Sequence, residues 1–404
     1  MGNLYLVINS GSSSLKFSLY SMPEENIIVN GLIEKIGLKD SSFTLKYNDN
    51  KESKNIFVKN HEKAIELMFD LLKEKKYINF ISDINGIGHR VLHGGEKYSD
   101  SVLIDDEVIK NIDNLTKLGP LHHPKELSGI KAIKESSNIS QVAVFDTAFH
   151  QTIPKENYMY GVPMEWYKEN GVRKYGFHGT SYKYIVNEMK KKLNKDDINL
   201  IICHLGSGAS VACIKDGKCY DTSMGLTPLD GLLMGTRSGN IDPSIIDYIS
   251  KERNLSIEQI NNILNSKSGF IGLSGVNDQR DLEKLMMLGD ENSKLTFNMF
   301  VKSIIKYIAE YYFELDGQVD ALVFTAGIGE NSMFLRECII NKLSKSVNIK
   351  LDKIKNDNIA RFKDNKEGII TSDDSKFPVY VLPTDEEKMI LEDTYKIINK
   401  SLKR

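Results

Sequence analysis

The stretch that most constrains this chain is LYLVINSGSSSLKFSLY, residues 4–20. An apolar run ends in Asn9 and a Gly/Ser-rich turn. A second run follows, in which Leu15, Phe17 and Leu19 alternate with Lys16 and Ser18. The pattern predicts strand, tight turn, strand. The turn is built of groups that can hold phosphate: the hydroxyls of Ser12 and Ser14, exposed backbone N–H groups, and Lys16 just behind. The pattern returns near residue 200 as NLIICHLGSGASVACI, where an apolar strand ends in His204, turns through Gly206, Ser207 and Gly208, and resumes. A motif used twice predicts two related halves serving one nucleotide.

A chain of 404 residues has room for two cores. The net charge of −2 argues against a nucleic-acid or membrane surface and favours a small-molecule partner. Neither a charged-then-apolar leader nor an apolar run of membrane-spanning length is present, so neither a signal peptide nor a span is expected. The four cysteines form no CxxC pair and read as buried free thiols of a reducing cytoplasm.

Along the chain, residues 26–60 read as further strands and 61–76 as a helix with Ala64, Leu67, Met68, Leu71 and Leu72 on one face. INGIGHRVLHGG, residues 84–95, carries Arg90 between His89 and His93. Its glycines disfavour a helix, so the two histidines share no face and make a poor metal pair, while a ligand can approach Arg90 closely. Residues 104–135 predict helix, loop, helix, with the loop at 119–124. The strand from Val142 ends in Asp146, a lone carboxylate at the C-terminal end of a buried strand: a site candidate, or else a turn cap. GFHGTS, residues 176–181, sets His178 between two glycines, with Thr180 and Ser181 to cap a helix starting near Tyr182 and make an anion site. Residues 221–243 form a loop rich in Gly, Thr and Ser with one arginine, Arg237. Ordering it is costly, which a bound ligand would explain. Helices follow at 244–265 and 292–314. A third strand enters a Gly loop, residues 325–331, with a helix opening at about Ser332. A last strand is read over 379–387, before a final helix, 388–401. The hairpin repeat places the main boundary near 148, giving a first lobe of 1–147 closed by 386–404 and a second of 148–385.

There is no GxxxxGK[ST] and no GxGxxG opening a helix after a strand. A nucleotide phosphate site without those loops must cancel charge with isolated groups. Arg90, Arg237 and a histidine fit that task, and carboxylates such as Glu386 and Asp146 could hold Mg²⁺ through water.

The set VINSGSSSLKFSLY, GHRVLHGGE, VFDTAFH, YGFHGTS, HLGSGAS, DTSMGLTPLDGLLMGTRSGNIDP, VFTAGIGEN and PT-EE resembles the acetate kinase family over nearly the whole length. That family lies within the acetate and sugar kinase, heat-shock ATPase and actin superfamily. The resemblance implies an α/β, two-domain actin-like ATPase fold with a duplicated ββαβαβα-type, ribonuclease H-like core. It implies reversible direct transfer of phosphoryl from ATP to acetate, giving acetyl phosphate and ADP, with Mg²⁺ (Mn²⁺ as a substitute), in a cytoplasmic homodimer. By motif, Asn9 and Glu386 sit near the metal, with Ser12, Ser14 and Lys16 at the phosphates. Arg90 and Arg237 grip the acyl carboxylate and the moving phosphoryl, His178 donates to that phosphoryl, and Asp146 orients the site. His204, Gly206, Ser207 and Gly208 hold phosphate; Asp278, Arg280, Gly327, Ile328, Gly329, Glu330 and Asn331 hold adenosine. Val91, Leu92, Leu121 and Pro228 are candidates for the acyl pocket.

The chain departs from the family pattern where His123 and Ser207 replace Asn, Tyr182 replaces His, Asp385 replaces Asn, and residues 276–280 are one residue short. These departures bear on acyl chain and nucleotide preference. A propionate or other short-chain acyl kinase, a non-catalytic nucleotide-gated module and a pyrophosphate-dependent phosphotransferase are the other readings.

Overall fold

The computed structural model describes residues 3–48, 50–119 and 122–401. Pro120 and Leu121, the latter expected in the acyl pocket, lie outside the described residues. The chain divides into two compact units, Met1–Gln151 with Asp385–Arg404, and Thr152–Thr384.

The first unit is built on an eight-stranded sheet: β1 (Asn3–Ser10), β2 (Ser14–Met22), β3 (Asn26–Glu34), β4 (Ser42–Tyr47), β5 (Asn50–Asn55), β6 (Ile84–Val91), β7 (Val102–Leu103) and β8 (Gln141–Phe145), in the order β5-β4-β3-β2-β1-β6-β8-β7. β1 runs antiparallel to β2, with Asn9 opposite Lys16, and parallel to β6, which is parallel to β8. The continuous apolar run of β1 follows from burial on both faces. Leu6 and Ile8 pack in a cluster that includes Ala64, Met68 and Leu72 of the helix His61–Glu74. Tyr5 and Val7, on the opposite face, pack with Ile390, Leu391 and Ile398 of the C-terminal helix Glu386–Ser401. That helix lies so close to β6 that a Cβ on Gly88 would stand 2.3 Å from Thr394 Oγ1.

The second unit carries β9 (Leu200–Leu205), β10 (Ala209–Lys215), β11 (Lys218–Thr222), β12 (Ala321–Thr325), β13 (Gly368–Ile369) and β14 (Val379–Val381), in the order β11-β10-β9-β12-β14-β13. β9 is antiparallel to β10 and parallel to β12, and β12 is parallel to β14. The run β11-β10-β9-β12-β14 therefore repeats β3-β2-β1-β6-β8 in order and direction. This is the duplicated α/β core expected from the two hairpins.

Several local expectations need correction. The helix after the GFHG segment is Gly179–Leu193, starting earlier than Tyr182. Its cap position is His178 itself, in the left-handed region at φ 59°, and Thr180 and Ser181 lie within the first turn rather than capping it. The stretch 244–265 is two helices, Ser244–Arg253 and Ile257–Ser266, divided at the left-handed Asn254. Residues Ala326–Asn331 are helical, not a loop, and Ser332 caps the next helix by accepting from Leu335 N at 3.0 Å. The final helix begins at Glu386, two residues before Lys388. No described helix is long and apolar enough to cross a membrane.

Candidate active site

In the first unit the expected groups stand at the C-terminal ends of parallel strands, where α/β sheets place ligands. Asn9 is near the end of β1, Arg90 near the end of β6, and Asp146 directly after β8. The structure brings these three together. Arg90 donates through Nη2 to Asp146 Oδ2 and through Nη1 to Asn9 Oδ1 at 3.5 Å. Its Nε is buried and has no partner among the described residues. Burial works against the Arg90 charge, but Asp146 and then Glu386 hold the guanidinium above its ordinary range. Burial also pushes the Glu386 carboxyl up, Arg90 opposes this, and Asp146 adds to it. Asn9 Oδ1 and the Asp146 and Glu386 carboxylates thus offer oxygen ligands, and the Asp146 charge disfavours that of Glu386. A hard divalent cation fits that donor set and would relieve the repulsion.

The phosphate-type turn of this unit is closed by Gly11 N donating to Ser14 O at 2.8 Å, with Ser12 exposed. Lys16 pairs with Glu387, which also accepts from Ser18. His89 is a structural residue: it bonds Gln141 Oε1 at 2.8 Å, and burial pushes it down to about 4.

Glu126, unremarked in the sequence, belongs to this neighbourhood. It lies on the helix His123–Ser136, is 2% exposed, and accepts from Leu92 N at 3.1 Å. Burial pushes its carboxyl up to about 8, with Arg90 opposing. Its spacing from Ile130 and Ile133, both fully buried, was the available signal. His123 is also buried, with Nδ1 at 3.1 Å from Ile112 O.

In the second unit His178 and His204 stack, ring centroids 4.1 Å apart at 18°. His178 Nδ1 lies 2.8 Å from Ser210 Oγ, which in turn meets Tyr182 Oη at 2.5 Å. His204 Nδ1 meets Ser181 Oγ at 2.9 Å. Tyr182, one of the departures, therefore steadies the support of His178. The turn Gly206–Gly208 follows β9, and a Cβ on Gly208 would fall 3.3 Å from Arg237 Nη1 and 3.5 Å from His178 Nε2. One glycine thus lets the arginine and the histidine flank the same backbone. Arg237 makes no ion pair with any described residue, and burial pulls its guanidinium below its ordinary range. A half-buried cation with no counter-ion among the described residues, beside a Gly/Ser turn, is a site for an anion.

The same turn opens into a cavity of about 600 Å³, whose wall includes Gly206, Ser207, Asp278, Arg280, Gly327, Ile328 and Asn331. Asp278 caps the helix Gln279–Met287 and holds the Arg280 guanidinium at 2.9 and 2.6 Å. Gly329 and Glu330 do not line it. Glu330 is fully buried, accepts from Thr384 N at 3.1 Å and faces Arg361 at 3.3 Å. The cavity also recruits Gln279, Glu283, Ser332, Arg361 and Phe362. None of these was a site candidate in the sequence, because each sits on a helix or in a polar segment of ordinary pattern.

The acetokinase family profile matches residues 4–392. Acetate kinase of Staphylococcus aureus strain JH9 is 48% identical over 397 residues, covering 97% of this chain and 98% of the relative. Among solved structures, a propionate kinase from Francisella tularensis matches with TM-score 0.92 and 41% identity, covering 98% of this chain and all of the other. Porphyromonas gingivalis acetate kinase matches with TM-score 0.91 and 39% identity, again over 98% of this chain and all of the other. The two arginine sites thus stand in a chain similar from end to end to carboxylate kinases, and this chain belongs to the acetokinase family.

Proposed function

We propose that the protein transfers the γ-phosphoryl of ATP directly and reversibly to acetate, giving acetyl phosphate and ADP, with Mg²⁺ bound. The observation that carries this reading is the half-buried Arg237, without an acidic partner among the described residues, flanking Gly208 together with His178. Acetate is ionised at neutral pH, so no general base is required. The difficulty is to bring one anion to a polyanion, and arginines do that. In this mechanism Arg90, held by Asp146, binds the acyl carboxylate. Arg237 and His178 Nε2 offset the charge that develops on the transferring oxygens. Ser210 and Tyr182 keep His178 oriented. Asn9, Asp146 and Glu386 would hold Mg²⁺, which supplies charge neutralisation at the phosphates. Residues 1–147 with 386–404 would carry the acyl and metal groups, and 148–385 the nucleotide.

The cavity of about 600 Å³ favours a nucleoside triphosphate, since pyrophosphate needs no such space. The likeness to a propionate kinase supports propionate as a second acceptor. One methylene discriminates by only about 1–3 kcal/mol in an apolar pocket. A homodimer is supported by exposed apolar side chains such as Ile257, Met287, Leu288 and Phe313. Cytoplasmic residence is supported by four free cysteines.

Hydroxylamine trapping with ATP, Mg²⁺ and acetate tests the reading. Wild type should form acetyl hydroxamate, and Arg237→Ala should lose about 10³-fold or more in rate. No hydroxamate from wild-type protein that binds ATP would sink it.

A further inference from the structure

The cavity wall holds a carboxylate that the transfer chemistry does not use. Glu283 lies on the helix Gln279–Met287 and lines the cavity. Its Oε1 accepts from Ser332 Oγ at 2.6 Å and from Gln279 Nε2. Gln279 Nε2 also reaches Ser332 Oγ at 3.2 Å, so the three side chains form a closed cluster. Oε1 is saturated by these donors, whereas no described residue donates to Oε2. The carboxylate is therefore held in one orientation with a single acceptor left over.

Position along the cavity says what that acceptor meets. A Cβ on Gly235 would lie 2.7 Å from Asn277 O and 3.7 Å from Ser207 O. The backbone of Asn277 therefore sits beside the Gly206–Gly208 turn, at the phosphate end. Glu283 is one helical turn after Gln279, roughly 6 Å farther along the helix axis. Asp278 on the same wall is neutralised by Arg280, whereas Glu283 has no basic partner among the described residues. An unneutralised carboxylate would repel a polyphosphate, so Glu283 fits the other end of the nucleotide. Ile328 and the exposed Phe362 supply apolar surface on the same wall for a base face.

Building on the kinase reading, we propose that Glu283 is the specificity-determining residue for the nucleobase. Its free Oε2 accepts a hydrogen bond from the exocyclic amino group of a 6-aminopurine. A 6-oxopurine places an acceptor at that position, sets two acceptors against each other there, and is disfavoured. Ser332 and Gln279 are positioning residues that hold Oε1.

The test compares kcat/KM for ATP, ITP and 2′-deoxy-ATP in wild type, Glu283→Gln and Glu283→Asp. ITP carries an oxo group where ATP carries the amino group. Wild type should prefer ATP to ITP by about 10–100-fold, the worth of one hydrogen bond to a charged group. In Glu283→Gln, whose amide can also donate to the oxo group, that ratio should fall to within about threefold of one. Glu283→Asp, which keeps the charge but withdraws it by one methylene, should give an intermediate ratio and serves if the Gln variant does not fold. An ATP/ITP ratio near one in wild type, or one unchanged in both variants, overturns the assignment. So does a loss that appears only in ATP against 2′-deoxy-ATP, which would place Glu283 at the ribose. If wild type turns over no nucleoside triphosphate, the kinase reading falls and this inference with it. If ATP is turned over and the ratios ignore Glu283, only the inference falls.

Discussion

Arg90 shows how a single cation is tuned by its surroundings. Asp146 and Glu386 sustain its charge, and Glu126 stands by it nearly fully buried. With its carboxyl pushed up to about 8, Glu126 is mostly neutral at pH 7 and adds no further charge to compete for the guanidinium. Above pH 8 it ionises and, with Arg90 binding the acyl carboxylate as proposed, competes with that carboxylate for the charge. The KM for acetate should therefore rise above about pH 8 in wild type and stay flat in Glu126→Gln, which initial rates across pH 6.5–9.5 would show. The same proton affects stability. The folded state keeps it between about 4.5, the ordinary value, and about 8, while the unfolded chain releases it. Stability should thus fall as pH rises through that window, and Glu126→Gln should remove that part of the fall. Arg90 and Arg237 were legible because glycines flank them in sequence. Glu126 was not, because a glutamate between a lysine and a leucine reads as a solvated helix face until the partner of that helix is known.

At the scale of elements, the hairpins β1–β2 and β9–β10 were legible from their alternation and their Gly/Ser turns. Other boundaries were harder. Glycine at 327 and 329 suggested a loop, yet residues 326–331 form a helical turn after β12. In that turn Ile328 and Asn331 reach the cavity while Glu330 points into the core. His178 occupies a left-handed cap that only the structure could show. The register of the C-terminal helix against β6 also came only from the fold, through small residues whose purpose is contact. A Cβ on Gly88 would meet Thr394 Oγ1 at 2.3 Å and Ile390 Cγ2 at 2.7 Å. Gly88→Ala should therefore destabilise the protein by about 1–3 kcal/mol, as overpacking does. Denaturant unfolding would measure it, and an unchanged midpoint would mean that the helix gives way without cost.

Across the whole molecule, one strand order serves twice, and each copy delivers one arginine with its support. In the first unit Arg90 is fixed by Asp146 and Asn9; in the second, Arg237 shares Gly208 with His178. The duplication was legible because the turn chemistry repeats. The supporting cast of Glu126, Glu283, Ser332 and Phe362 was not, because residues far apart in the chain supply it.

The central claim is that these two arginine sites act on one phosphoryl transfer. The most direct test is the rate of acetyl phosphate formation by Arg90→Ala, Arg237→Ala and the double variant, with folding checked by thermal melting. Residues that act as a unit in one transition state lose rate non-additively. Each single variant should lose about 10³-fold, and the double variant should be little slower than the slower single. Losses that multiply in the double variant, or a single variant that keeps the wild-type rate, would contradict the account.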